Sequence, residues 1–295
     1  MRILFNNVDF RSRSGPNGFA TKLAGMFTKM GHDIVTDTPE VALNFIQGYH
    51  HGVRNILRLD GIYFNTAQDW QQQNDPIRAS YNLADAVVVQ SQFNKELVFR
   101  YFGERGSVHV IHNGTPLEVV REIEPVEVGH LRENVWLCAS SWRPHKRLAE
   151  NIKYFQHHAG SKEVLFVAGS GDLSSLESCG DSRVQYVGDL SWEQLISLMK
   201  ASGNFLHLAY LDHCPNVVVD ANAAGCKVHC SNTGGTKEIA GENSVIVVEE
   251  EWDYSPIDLY NPPPIDFNKT TKNNRASVPN DITEVAKKYQ AVLED

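Results

Sequence analysis

Short apolar runs of four or five residues alternate with amphipathic stretches along most of this chain, and the alternation is interrupted once. The first series of strand-like runs is Arg2–Phe5, Asp33–Thr36, Val41–Phe45, Asn55–Leu59, Ala86–Gln90 and Val108–His112. Helix-like segments at Phe19–Met30, Ile77–Ala84 and Gln92–Phe102 lie between several of them. The pattern restarts at Val135–Ala139 and continues through Val164–Ala168, Val184–Val187, Phe205–Ala209, Lys227–Cys230 and Ser244–Val248. Alternating β and α elements predict parallel sheets covered by helices on both faces. The segment Glu118–Arg132 is acidic, contains Pro125 and lacks periodicity, which places a domain boundary there. A chain of 295 residues is long enough for two cores.

Beyond Glu251 the alternation stops. Pro256, Pro262-Pro263-Pro264 and the polar run Asn268–Arg275 predict an irregular strap. Ile282–Leu293 then reads as a final helix with Asp281 at its N-cap. Lys and Arg number 12 against 13 acidic groups in residues 1–125 and 15 against 23 in the remainder, a net charge of −9. An acidic chain without a basic stripe argues against nucleic-acid partners. No apolar run approaches the roughly 18–20 residues that cross a bilayer, and the start MRILFNNVDF turns polar so quickly that no signal peptide is expected there. Five cysteines without a CxxC pair fit reduced thiols and a cytoplasmic location. Cys226, His229 and Cys230 lie close in sequence, but strand alternation would split them between faces, so no metal site is expected. The helix Gln92–Phe102 carries Lys95 and Arg100 beside Phe93, Leu97, Val98, Tyr101 and Phe102. A core-facing amphipathic helix explains it fully, and a membrane-surface role is the weaker reading.

The most informative segment is 204–241. Asp212 and Asp220 stand eight positions apart with Pro215-Asn216 between them. Gly225 follows, then the β-like run Lys227–Ser231, the turn Thr233-Gly234-Gly235 and Glu238. This order of parts resembles the donor-binding motif of the retaining GT-B glycosyltransferases of the glycogen synthase and bacterial mannosyltransferase type, where two glutamates take the places of the aspartates. Residues 1–250 carry the resemblance, more specifically in their second half. The implied architecture is α/β: two Rossmann-like domains, 1–120 on the acceptor side and 130–252 on the nucleotide-sugar side, facing across a cleft. Residues 253–295 form the tail and terminal helix, which in such enzymes commonly crosses back to the first domain.

Ser14-Gly15-Pro16-Asn17-Gly18 follows the first strand and precedes a helix. Gly15 and Gly18 let backbone approach a ligand there, and a helix amino end offers free N–H groups to phosphate; an ordinary βα turn is the alternative, and the resemblance makes it the loop facing the donor phosphates. The loop Ser140–Arg147 carries Arg143 and Lys146, whose counterparts in the family hold the diphosphate; fixed cations stabilise the charge left on a departing nucleoside diphosphate. No DxD motif occurs, which favours side-chain cations over magnesium. Val217-Val218-Val219 has strand propensity, whereas the resemblance puts a helix at Asn216–Ala224, with the amides of Asn216 and Val217 toward phosphate and Gly225 as its stop. By the same resemblance Asp220 takes the ribose hydroxyls and Asp212 the transferred sugar. Each is one methylene, about 1.5 Å, shorter than glutamate.

Asp60 ends the strand Asn55–Leu59, at the edge where open α/β sheets place ligands. It stands where many relatives have a sugar-contacting histidine, and it orients the acceptor hydroxyl, stabilises the oxocarbenium-like transition state or simply caps the turn before Gly61; His50 and His51 are the next candidates for a histidine role. Gly169 and Gly171 resemble the family's Gly-x-Gly lining the nucleotide pocket, Val187–Leu190 its base-pairing segment, and Asn113-Gly114 a turn at the cleft. Glu238 matches a common acid and receives no chemistry. The implied reaction is transfer of a hexosyl group from a nucleotide sugar, bound as substrate and not as cofactor, to a hydroxyl of a glycan, lipid-linked or protein acceptor, with retention and without metal. Two alternatives stand beside it. A nucleotide-sugar 2-epimerase would turn over donor without acceptor, and a binding module would bind donor without transfer or hydrolysis.

Overall fold

A computed structural model describes residues 1–273 and 279–295. The first half contains β1 (Arg2–Asn6), α1 (Gly15–Lys29), β2 (Asp33–Val35), β3 (Val41–Phe45), β4 (Arg54–Leu59), α2 (Trp70–Leu83), β5 (Ala86–Val89), α3 (Gln92–Phe102) and β6 (Val108–Val110). Its strands form one parallel sheet in the order β2-β1-β3-β4-β5-β6. The central strands are covered on both faces, so they read as unbroken apolar runs: every residue of β3 and β5 is buried. Asn44 is the polar exception within β3, and its side chain donates to Asn55 Oδ1 at 3.1 Å and accepts from Asn6.

The second half begins after α4 (Leu117–Glu122), a short helix within the spacer that was expected to be aperiodic. It contains β7 (Val135–Trp142), α5 (Leu148–His158), β8 (Val164–Gly171), α6 (Ser174–Ser178), β9 (Val184–Gly188), α7 (Trp192–Lys200), β10 (Asn204–His207), α8 (Asn216–Ala223), β11 (Lys227–Ser231) and β12 (Val245–Val247). These strands lie parallel in the order β12-β11-β10-β7-β8-β9. The expected α/β class with two mostly parallel sheets is the observed one.

Several boundaries differ from the sequence reading. Helix α1 starts at Gly15, because Pro16 suits the first turn and Gly15 and Gly18 are absorbed into it. Helix α2 starts at Trp70 and runs through Pro76. Its polar first turns show no apolar period, and the Asp69 side chain caps it by accepting from Gln72 N. Strand β8 runs on to Gly171, pairing Ser140 with Gly169 and Trp142 with Gly171. A Cβ at Gly169, whose φ is +104°, would fall 1.9 Å from Ser140 O, so the close approach of β7 requires glycine there.

The strap returns to the first half. Trp252, Tyr254, Ile257 and Leu259 pack against the cluster of Phe64, Phe93 and Leu97. Within it β13 (Thr270–Lys272) adds an antiparallel edge to β12; Asn274 and Arg275 of the expected polar run lie outside the described residues. Helix α9 (Ile282–Glu294) is capped by Asp281, whose side chain accepts from Thr283 N. It buries Ile282, Val285, Tyr289 and Val292 in the core under α1. Among the described residues no helix is long and apolar enough to cross a membrane. The side chains of α3 that a membrane-surface role would draw on include Phe93, Leu97 and Val98, all buried in the first half.

Candidate functional site

Contacts between the two halves gather at the carboxyl edges of both sheets. Helix α1 follows β1 and helix α8 follows β10, and the two meet across the cleft. Gly15, Gly18 and Lys22 repeat at three- and four-residue spacing and so share a face of α1; Asn216 and Asp220 share a face of α8 in the same way. Asn216 Nδ2 donates to Gly15 O at 2.8 Å. Two turns further along α1 and one turn further along α8, Lys22 Nζ donates to Asp220 Oδ1 at 2.9 Å and lies 3.2 Å from Oδ2. Asp220 is buried and also accepts from Trp192 Nε1 at 3.0 Å. Helix α8 forms despite Val217–Val219 because Val218 and Val219 are buried in the second core, where tertiary packing outweighs propensity.

Asp212 sits on the loop after β10. Its Oδ2 accepts from Lys146 Nζ at 2.5 Å and from His207 Nε2 at 2.9 Å, while Oδ1 accepts from His213 N. Burial alone would raise this carboxyl, but the Lys146 charge and the His207 hydrogen bond outweigh it and hold Asp212 well below the usual carboxylate range. His207 is pushed down by burial against the pull of Asp212, so it is neutral and its Nε2–H donates. The turn Gly234-Gly235 closes underneath, with Gly235 N donating to Asp212 O at 2.8 Å. A Cβ on Gly235 would lie 2.0 Å from His213 O, which fixes glycine at that point.

His213 reaches into the first half. Its Nε2 is 2.4 Å from where a Cβ on Gly61 would be, and its ring packs on Phe64 and Phe93. Burial depresses His213 to about 4, and its Nδ1 is buried without a partner among the described residues. His145, on the loop with Lys146, is likewise pushed down to about 4 by burial and by the Lys146 charge. Asp60 neighbours Gly61. Arg58 and Gln90 both donate to its Oδ1, and Oδ2 is buried without a partner among the described residues. Burial raises the Asp60 carboxyl, with Arg58 opposing. Arg58 also donates to Tyr289 Oη on α9 and to Asn113 Oδ1, and Asn113 Nδ2 lies 2.9 Å from both Cys214 O and Asn216 Oδ1. Asp60 is therefore tied through buried polar groups to the amino end of α8.

The structure thus brings Gly15, Gly18, Lys146, Asp212, Asn216, Val217, Asp220 and Asp60 to one cleft. Arg143 is exposed on the Lys146 loop. Gly169 and Gly171 have a demand of their own in the β7–β8 approach. His50 and His51 lie elsewhere: His50 N donates to Asn55 Oδ1 near the amino end of β4, on the edge away from the cleft. The three residues considered for zinc separate, as His229 bonds Tyr154 and Asn204 while Cys226 Sγ donates to Met199 O. Among the described residues no group of three metal-ligating side chains forms.

Sequence reasoning missed Lys22, His207, His213 and Arg147. The spacing of Lys22 from Gly15 and Gly18 was a usable signal. Glu238, given no chemistry, accepts from Gln92 N, Phe93 N and His112 Nε2, so it caps α3 from the opposite half. Arg13 makes a further exposed bridge to Asp189 at 2.9 Å.

Residues 120–255 match the profile of a family described as glycosyl transferases group 1. No curated protein matches the sequence. Solved structures do match. Sucrose-phosphate synthase from Thermosynechococcus elongatus aligns with a TM-score of 0.67 at 14% identity, covering 100% of this chain and 90% of that one. AviGT4, a glycosyltransferase involved in avilamycin A biosynthesis, aligns at 0.68 and 12% identity over 100% and 97%. The Anabaena protein HepE, solved with UDP and glucose, aligns at 0.66 and 15% identity over 100% of both chains. At these identities the likeness is one of fold, and the fold is GT-B.

Proposed function

We propose that this chain is a hexosyltransferase, moving a hexosyl unit from a nucleotide sugar to a hydroxyl of a glycan, lipid-linked or protein acceptor, with retention and without a metal. The observation that carries the reading is the meeting of the amino ends of α1 and α8 across the cleft. There the bare faces of Gly15 and Gly18 lie by Asn216: among the described residues, leaving out their own helix backbone, nothing comes within 4 Å of a Cβ built on either glycine. Two helix dipoles and their free N–H groups converging on one space suit a diphosphate. The match of residues 120–255 to glycosyl transferases group 1 supports the same chemistry, and the UDP and glucose in the HepE structure make a uridine nucleotide the first donor to try.

In this reading the carboxylate of Asp220 takes the ribose hydroxyls and Asp212 faces the transferred sugar. Asp212 stays ionised at neutral pH and so keeps Lys146 oriented at the cleft. Lys146 and the exposed Arg143 balance the charge that develops on the β-phosphate as the glycosidic bond breaks. The β-phosphate oxygen then accepts the proton of the attacking hydroxyl on the same face, which retains configuration. Asp60 orients that hydroxyl.

The test is release of nucleoside diphosphate from UDP-, GDP- and ADP-sugars with and without acceptor. Loss of one fixed cation should lower turnover by about 10²- to 10³-fold, so Lys146→Ala and Arg143→Ala are expected to fall in that range. Parental turnover in both variants would refute the roles assigned, and donor conversion without any acceptor would point to epimerisation instead.

A further inference from the structure

Lys22 occupies the position that the proposed donor needs. Its ammonium contacts both oxygens of Asp220 and also donates to Thr115 Oγ1 at 3.3 Å. The side chains are 15% and 4% exposed, so ribose hydroxyls reach Asp220 only when the ammonium leaves. A buried ammonium deprived of its carboxylate needs another anion. Helical side chains lean toward the amino end, which carries Lys22 over the bare face of Gly18. Among the described residues, and apart from their own helix backbone, nothing lies within 4 Å of a Cβ built at Gly18 or Gly15, so the space beside the phosphate-facing end of α1 is open to it.

We propose that Lys22 is a third diphosphate-binding cation, parked on Asp220 in the free protein and transferred to the diphosphate when ribose takes its place. This rests on the donor reading above. Donor binding is then an exchange of partners: hydroxyls replace the ammonium on Asp220, and the diphosphate replaces Asp220 on Lys22. A nucleoside can make only the first half of that exchange.

Calorimetry with UDP, GDP and ADP, followed by the nucleoside of whichever binds best, compares the parent with Lys22→Met. The expected pattern is a divergence. The nucleoside tightens by about tenfold, because its competitor for Asp220 is gone. The nucleotide gains the same relief but loses its bond to Lys22, so the ratio of the two dissociation constants shifts in favour of the nucleoside by about tenfold. Equal tightening of both ligands would make Lys22 a plain competitor and overturn the proposal, as would no change in either. Binding of none of these ligands to parent or variant would instead sink the donor reading itself. A second measurement needs no variant. Amine acetylation of the parent, mapped by mass spectrometry, should label Lys22 faster with nucleoside bound but not with nucleotide bound. Equal exposure of Lys22 by both ligands would refute the transfer.

Discussion

Arg147 follows Lys146, and the structure gives it a different task from its neighbours. It is buried, with φ of +56°, and donates to Glu249 through both terminal nitrogens at 2.9 and 2.8 Å. It also donates to Leu208 O at 3.3 Å and Pro263 O at 2.6 Å, and it stacks 4.8 Å from the Tyr210 ring. One guanidinium thus ties the Lys146 loop, the end of β10 leading to Asp212, and the proline strap. Arg147→Met would strand Glu249, which is 5% exposed in its side chain, with Ser231 as its remaining side-chain partner. Breaking a buried pair from one side costs about 3–5 kcal/mol. At about 2–4 °C per kcal/mol for a unit of this size, melting should fall by roughly 10 °C. Arg147→Met/Glu249→Met should regain most of the loss, because it leaves no buried charge unpaired. Calorimetric melts and urea titrations of the two single variants and the double variant supply the cycle. A single-variant cost below about 1 kcal/mol, the range of an exposed pair, would refute the inference that Arg147 holds this loop.

Other consequences can be read in the same way. His229 is pushed down to about 3 by burial, and His145 and His213 to about 4, whereas an unfolded histidine titrates near 6.5. The unfolded chain therefore binds more protons below 6.5, so the stability is fully present above that value and is lost as pH falls toward 4 for His145 and His213 and toward 3 for His229. At pH 5 the enclosed His229 costs about 2 kcal/mol, with smaller amounts from the partly exposed pair; an unchanged urea midpoint between pH 7.5 and 5 would contradict this. Gly235→Ala should cost about 1–3 kcal/mol, because its Cβ would meet His213 O and Ser91. Since Gly235 N also bonds Asp212 O, donor turnover should fall with it, and a variant with parental melting and turnover would show that the turn yields freely.

The α/β layering was legible because buried parallel strands leave continuous apolar runs, as in Val41–Phe45 and Ala86–Val89. Propensity did not settle α8: three successive valines favour a strand, and only burial of Val218 and Val219 against β11 and its neighbours explains the helix. The start of α1 was hidden for the opposite reason, since Gly15, Pro16 and Gly18 read as loop residues although proline and open space suit a first helical turn. At the site, Asp212, Asp220, Lys146 and Asn216 could be picked by type and spacing within one segment or loop. Their partners could not, because each comes from a distant element. Lys22 lies 198 positions from Asp220, and Glu238 caps a helix that starts 146 positions earlier. Arg147 looked like one more cation in a basic run until Glu249 and Pro263 were seen to enclose it.

The contacts across the cleft divide into two kinds, and the division bears on how a donor could enter. On one side, Tyr210 and Leu211 of the second half are buried among Phe64, Phe93 and the strap residues Trp252 and Tyr254 of a shared apolar cluster. Beside it Glu238 caps α3 from the opposite half, and neither it nor the seam carries a residue assigned to phosphate or ribose. On the other side, the contacts are polar: Gly15 with Asn216, Lys22 with Asp220, and the exposed Arg13 with Asp189. Apolar burial resists separation in proportion to its area, whereas a polar contact opens at small net cost when a ligand offers equivalent bonds. The apolar side is accordingly the fixed side and the α1–α8 side the one that yields. Each of these three contacts involves a residue assigned to phosphate or ribose, or one within the base-pairing segment, so the bonds that close the free cleft there are the bonds a donor would make in their place.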